Sequence, residues 1–387
     1  MNEIVGIICE YNPFHKGHLY QINEIKKELP NAQIVAIMSG NIVQRGEFAI
    51  FDKRKRAEIA LENGVDLVLE IPYPHCGATA EIFASAGVSI ATKIGCTHLY
   101  FGTENAELDY LERLAKAIDS KEVNDLIQEN LSSTKSYNES KDLALNFFGF
   151  KMPKLPNDIL AIEYIRAIKK QGSKIEYRTI KRCGAGYKDN EVVEVMSASA
   201  IRKYYYDKGN FISIPDTTTN LYANIATENL VLDEKVANDF LYRFALVADR
   251  KELDNAFDSC PEIGAIIKSS AENSVNGKDF VSKLSSKAYT TSRIKRALLF
   301  TLFKVKSADK CLNFTNLLAT NSNGKLIIKK AKNDDFMVVT KFSDAKKLDP
   351  VSKFYYDTTI LVDKVYSTLL KSRVQPGNVY LQKPIIK

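Results

Sequence analysis

No apolar run in the 387 residues reaches the length that spans a bilayer. Nor does a cationic segment followed by an apolar one open the chain, because a strand pattern starts at Ile4, so no signal peptide is expected. Six cysteines, Cys9, Cys76, Cys96, Cys183, Cys260 and Cys311, are scattered without close pairs. That spacing argues against a disulfide framework and against a structural zinc site. The absences predict a cytoplasmic protein that has no membrane role and no metal held by protein ligands. Glutamate is missing from one long stretch: Val281 to Lys387 holds 21 lysines and arginines against 7 aspartates, a local net of +14 in a chain whose total is +7. The rest must then carry −7. A basic end of this kind favours a polyanion such as nucleic acid, although a solvated lysine-rich face accounts for it too.

Histidine is the scarcest clue, with 4 in the chain, and His15 and His18 share one four-residue window. They fall in the string Glu10-Tyr11-Asn12-Pro13-Phe14-His15-Lys16-Gly17-His18. The apolar run Ile4 to Cys9 before it reads as a buried strand, and a helical pattern starts at Gly17. A strand-to-helix turn offers unpaired backbone N–H groups and the positive end of the helix dipole, which suits a phosphate. Two imidazoles three residues apart add ring donors, and Gly17 between them allows close approach of the backbone.

The length suggests two or three domains, and 45% hydrophobic with 26% charged residues marks a globular protein. Strands at Gln33 to Met38, Val65 to Ile71 and His98 to Phe101 alternate with helices, one capped by Asp52 and one spanning Glu81 to Lys93. The pattern predicts an α/β fold with a Rossmann-like parallel sheet, whose ligand lies beyond the carboxyl ends of the strands. Ser39, Gly102 and the histidine turn all fall at such ends. A charged helical stretch, Ala106 to Phe148, reads as an insertion broken at Ser132-Ser133-Thr134. Pro153 and Pro156 bracket a loop after which Asn157 starts, and can cap, a further helix, and a strand at Lys174 to Ile180 delivers Lys181, Arg182 and the glycines Gly184 and Gly186 to the same edge. Ser197 to Arg202 precedes another helix; its hydroxyls and guanidinium suit a phosphate, or else cap a helix and stand on the surface. A boundary at Pro215 to Thr219 divides the part with the sheet pattern and the histidine turn, residues 1–215, from a helical to mixed basic region, 216–387, with lysine clusters at Lys329-Lys330-Lys332 and Lys346-Lys347.

His15-Lys16-Gly17-His18 resembles the HxGH signature of the nucleotidyltransferase superfamily. The longer string from Glu10, with Met38-Ser39-Gly40-Asn41, Gln44-Arg45-Gly46-Glu47, Phe101 to Glu104, Pro156 to Leu160, Lys181 to Tyr187 and Ser197 to Arg202, resembles more narrowly the bacterial tRNA(Met) cytidine acetate ligase family. The likeness is densest over the first two hundred positions. It implies an HxGH-type nucleotidyltransferase domain that binds ATP through Ile8, Cys9, Glu10, Tyr11, Asn12, Pro13, Phe14, His15, Lys16, Gly17, His18, Leu19, Tyr20 and Gln21, together with Gly102, Asn157 and Arg182. Ser197, Ser199 and Arg202 would hold the departing pyrophosphate with Mg²⁺ bridging its oxygens, and His15, His18 and Arg202 would serve catalysis. The resemblance further implies acetate activated as acetyl-adenylate and elongator tRNA(Met) as partner, acetylated at the exocyclic amine of its wobble cytidine. Cys183 and Lys188 depart from the family's common residues. Two other readings stand beside this one: a small-molecule nucleotidyltransferase making a coenzyme precursor, and a non-catalytic RNA-binding protein.

Overall fold

The computed structural model of the chain describes residues 3–104, 107–132, 137–182, 195–331 and 335–387. The first strand β1 (Ile4–Cys9) leads into α1 (Lys16–Glu28), β2 (Gln33–Ser39) follows, and a small hairpin, β3 (Ile42–Val43) with β4 (Glu47–Phe48), leads to α2 (Lys53–Glu62). Next come β5 (Leu67–Ile71), α3 (Ala80–Ile94) and β6 (His98–Thr103). The charged stretch forms α4 (Leu108–Ile118), α5 (Lys121–Asn130) and α6 (Tyr137–Phe147), before α7 (Pro156–Lys170), β7 (Glu176–Lys181) and α8 (Ala198–Lys208). Helices then dominate, with α9 (Thr219–Thr227), α10 (Glu234–Val247), α11 (Arg250–Asp254), α12 (Pro261–Glu272), α13 (Gly277–Lys283) and α14 (Thr291–Leu302). The last part is β8 (Phe314–Thr320), α15 (Ser322–Lys330), β9 (Met337–Val339), α16 (Pro350–Ser367) and β10 (Ile385–Ile386).

Alternation explains why the sheet is covered on both faces. Along β2, Val35 and Ile37 join one apolar cluster while Ile34, Ala36 and Met38 join another, all of them fully buried. The strand order is β10-β8-β5-β2-β1-β6-β7, with β9 beside β8. Strands β5, β2, β1, β6 and β7 pair in parallel. From β1 the chain winds outward through β2 to β5, then returns to β6 on the other side of β1. The winding thus reverses at β1, which opens a crevice past its carboxyl end.

β8 was not expected from the sequence. It pairs antiparallel with β5, Leu67 opposite Thr320 and Glu70 opposite Asn316, so residues after 215 enlarge the same sheet. The division at 215 is not a division of that sheet. A third apolar cluster, with Leu253, Ile263, Phe280 and Leu298, forms the core of the α10 to α14 bundle. Two short, mostly apolar stretches, Lys325 to Ile328 and Tyr355 to Leu361, lie in α15 and α16. Between Leu230 and Phe257 the chain forms two helices, α10 and α11, joined at Ala248-Asp249.

Because β8 runs against β5, Thr320 lies at the edge where the parallel strands begin. α15 climbs back from there to the start of β9, which pairs in parallel with β8. Lys329 and Lys330, in its last turn and exposed, are therefore returned towards the edge where β1 and β2 end.

Candidate active site

Residues 10–15 carry the chain from β1 into α1. Tyr11 takes a φ of 46° and the Asn12-Pro13 peptide is cis. The rings of Tyr11 and Phe14 are buried, with centroids 4.8 Å apart. Tyr222 donates its hydroxyl hydrogen to the Phe14 carbonyl, and Asn12 Oδ1 accepts from the Ile50 amide at 2.8 Å. Beneath the turn the fully buried Arg56 donates to the carbonyls of Glu10 at 2.6 Å, Phe51 at 3.2 Å and Gly40. One guanidinium thereby ties the turn after β1 to the loop after β2, and satisfied carbonyls offset much of its desolvation.

His15 is the N-cap of α1. Its Nδ1 accepts from the Gly17 amide at 3.0 Å, and His18 Nδ1 accepts from the His15 amide at 3.2 Å. A ring that accepts at Nδ1 keeps its proton on Nε2 while neutral. The rings stack at 3.8 Å, and Tyr11 and Phe14 flank the His18 ring. Burial pushes the His15 imidazole down to about 3, with the Arg182 charge adding to it. Burial also lowers His18 strongly, helped by His15 and Arg182. Both rings are therefore neutral near pH 7, each with an Nε2–H donor left for a ligand. A β-carbon on Gly17 would lie 2.8 Å from His15 Cε1, so the glycine is what lets the imidazole fold back as a cap.

The open backbone donors expected from the sequence are engaged. Lys16 N donates to Ser213 O at 3.0 Å and His18 N to His15 O at 2.9 Å, so ring nitrogens and the helix dipole are what the turn presents. Ser213, at a φ of 54°, also accepts at its hydroxyl from Met196 N at 3.2 Å, which draws the start of α8 to the start of α1. On α8, Ser197 caps the helix by accepting from Ala200 N. Arg202 donates to the Asn12 carbonyl at 2.8 Å and to Ser199 Oγ at 3.4 Å. Ser199 and Arg202 thus stand against the histidine turn, whereas Ser197 acts first as a cap.

The third wall comes from β6, α7 and β7. Glu104 receives the amides of Asn157 and Asp158 at 3.1 and 3.3 Å, and its own amide donates to Asp158 Oδ1 at 2.8 Å. Leu155 is the N-cap of α7 and Pro156 its first residue, so Asn157 is not the cap. Its amide side chain donates to Glu104 at 2.5 Å and accepts from Arg182 at 3.0 Å. Arg182 lies across Gly102, where a β-carbon would meet its Cγ at 2.9 Å. Gly102, Asn157 and Arg182 are thus one cluster, near enough to the imidazoles for the guanidinium to depress both. Gly184, Gly186, Cys183 and Lys188 lie outside the described residues.

Other positions of the string have different surroundings. Ile8 packs on Gly87 of α3, Tyr11 and Phe14 belong to the core, and burial raises the Cys9 thiol. The Glu10 carboxylate accepts from Gln44 N at 3.0 Å, and burial raises it above the ordinary range. Lys16 is 3.8 Å from Asp216. Pro13 is buried; Leu19, Tyr20 and Gln21 are half-buried on α1, and Gln21 donates to Tyr100 O at 3.4 Å.

Two features escaped the sequence reading. Lys53 is buried between Glu70 and Asp363, 2.6 Å from each. Asn41 joins them, donating to Asp363 at 3.0 Å and Asp52 at 3.1 Å. The other is Glu47, which pairs with Lys295 of α14 at 2.7 Å. A signal existed for the first: after the cap Asp52, Lys53 and Arg56 share one helix face while Arg54 and Lys55 point elsewhere. Among the described residues no group of three or more His, Cys, Asp or Glu could hold a metal ion, and no helix is long and apolar enough to cross a membrane.

A parallel sheet with a paired-imidazole turn at its switch point defines a nucleotidyltransferase fold of the HxGH type. The family model described as HIGH Nucleotidyl Transferase matches residues 1–379. The tRNA(Met) cytidine acetate ligases of Fusobacterium nucleatum and Ligilactobacillus salivarius are each 34% identical to the chain; they cover 99% and 95% of it, and 98% and 96% of themselves. A crystal structure of Thermotoga maritima TmcAL bound with alpha-thio ATP superposes with a TM-score of 0.89 at 26% identity, covering 99% of both chains. The chain belongs to the tRNA(Met) cytidine acetate ligase family, within the HIGH nucleotidyl transferases.

Proposed function

We propose that the protein activates acetate with ATP and transfers the acetyl group to N4 of the wobble cytidine of elongator tRNA(Met). The observation that carries this reading is the stacked pair His15 and His18, whose engaged Nδ1 atoms leave two Nε2–H donors at the crevice. ATP binds there with its phosphates on these donors. An acetate oxygen attacks the α-phosphorus, the bond to the bridging oxygen breaks, and pyrophosphate leaves with the electron pair. The residues contribute position and charge stabilisation rather than covalent chemistry. Neutral donors suit this role, since they bind the phosphates without a proton having to be gained first. Arg182 and Arg202, from opposite walls, balance charge growing on the leaving group; Arg202 also fixes the turn through the Asn12 carbonyl. The bound nucleotide takes contacts from the positions of the Ile8 to Gln21 string that face the crevice and from Gly102, Asn157, Ser197 and Ser199.

Magnesium fits as a companion of the nucleotide. Glu10 and Glu104 are already bonded to backbone amides, so phosphate oxygens and water must supply most of its ligands. The basic region after 215 supplies the tRNA surface, with Lys329 and Lys330 returned towards the catalytic edge by α15. Acetate-dependent exchange of pyrophosphate into ATP, followed by incorporation of labelled acetate into tRNA, tests the proposal. Exchange with no dependence on a carboxylic acid returns the small-molecule nucleotidyltransferase to first place, and no turnover at all returns the RNA-binding protein.

A further inference from the structure

A second hollow opens beside the imidazole turn. It measures about 360 Å³ and lies between α8, the β3–β4 hairpin and the helices α10, α13 and α14. Ser199 and Arg202 line it as well as the crevice, so the two spaces share a wall. Glu47, from the Gln44-Arg45-Gly46-Glu47 string, lines it too. Its Oε1 is paired with Lys295 at 2.7 Å, whereas Oε2 has Arg202 Nη2 at 3.7 Å, too far for a hydrogen bond. Burial would raise this carboxyl, but Lys295, Arg202 and Arg45 more than offset it, so the group is ionised with acceptor capacity to spare.

We propose that this hollow receives the acceptor base, an unpaired cytosine of the RNA, and that Glu47 Oε2 accepts a hydrogen bond from its exocyclic amine. The inference rests on the adenylate-forming reading of the neighbouring turn. The volume is at the small end for ligand sites, which suits one nucleoside and not a run of bases. Tyr206, Leu241 and Leu284 give it an aromatic and apolar lining, as a splayed-out base requires. A carboxylate accepts from cytosine N4 and repels the O4 acceptor of uracil, so Glu47 separates the two pyrimidines. Lys203 at the lining supplies a cation for a phosphate flanking the base. The shared wall sets the amine beside the α-phosphate where the acetyl group is carried. In the transfer the N4 lone pair forms the new bond to the acetyl carbon, and the bond from that carbon to the phosphate oxygen breaks. AMP leaves with that electron pair, while one N4 proton passes to Glu47 and on to water.

The test compares two activities of the full-length protein: acetate-dependent ATP–pyrophosphate exchange, and acetyl transfer to an anticodon stem-loop carrying cytidine or uridine at the wobble position. Glu47→Gln should lower transfer at least about 30-fold more than it lowers exchange, the loss expected for a charged hydrogen bond to the reacting group. Asn238→Trp, which fills the hollow from α10, should give the same split and carries the test by itself if the first variant does not fold. The uridine stem-loop should bind more weakly to wild type, and Glu47→Gln should narrow that difference. If exchange and transfer fall in step in Glu47→Gln and Asn238→Trp leaves transfer intact, Glu47 acts only by holding Arg202 and the base lies elsewhere. Absence of exchange in wild type would instead bring down the adenylate reading itself.

Discussion

Two buried polar centres sit at neighbouring strand ends and were built to opposite specifications. Past β1, His15 and His18 use one ring nitrogen each on the backbone and leave the other uncommitted. Past β2 and β5, Lys53 is enclosed by Glu70, Asp363, Asn41 and Asp52, and Asn316 donates to Glu70 at 2.8 Å. The charged groups there answer one another, and the network ties the sheet to α16 and β8. Burial neutralises the first centre and demands charge in the second, because imidazole can shed its proton at little cost while a lysine between two carboxylates cannot. The difference is whether donors are left over: the first centre has them and the second spends its charges on bracing.

The comparison is easiest to break at Lys53. Lys53→Met strands two carboxylates in the core and should cost about 3 to 5 kcal/mol in denaturant unfolding. His18→Ala should lower acetate-dependent exchange by about 100- to 1,000-fold while unfolding stability falls by only about 1 kcal/mol, the worth of the hydrogen bond its ring accepts from the His15 amide. A loss of stability as large as that of Lys53→Met would place the imidazoles among the bracing groups. Asp363 sharpens the contrast through pH. Burial, with Glu70 adding to it and Lys53 opposing, raises its carboxyl from 3.8 to about 6. A raised carboxyl favours the folded state below the unfolded value and loses that contribution as pH climbs through about 6. Relative to wild type, Asp363→Asn should therefore gain on going from pH 4 to 7, by about 2 to 3 kcal/mol, measured by unfolding at each pH. No such drift is expected for ATP affinity between pH 6 and 8 from the histidines, since both titrate far below that range. The smallest effect belongs to the exposed pair Lys329 and Lys330. Replacing both by alanine should weaken tRNA binding modestly and lower the slope of log K against log salt by about 1.8 if each meets a phosphate. Lys332, grouped with them in the sequence, lies outside the described residues.

The first half of the fold could be read from local pattern. β1, β2, β5 and β6 are near-continuous apolar runs, and Asp52 does cap α2. β8 could not, because Phe314-Thr315-Asn316-Leu317-Leu318-Ala319-Thr320 interrupts its apolar residues with Thr and Asn that bond to Glu70 of the neighbouring strand. Its partner is over two hundred residues away, and no local period reports such a pairing. The imidazole turn was legible from scarcity and spacing. Its hydrogen bonding was not: sequence pointed to open backbone N–H groups, and folding consumed them on Ser213 and on His15 itself. Asn157 was read as the cap of its helix but stands two positions past it, since Leu155 is the cap and Pro156 the first residue, and Glu104, just past β6, meets the amides.

The antiparallel seam between β5 and β8 has a practical corollary for anyone dissecting the molecule. A fragment cut at 215 would strip Leu67–Ile71 of its neighbour and leave a bare, oily strand margin ready to stick to its own kind. Residues 1–215 therefore cannot be lifted out as a cassette, and any replacement of the part that follows would have to carry β8 along.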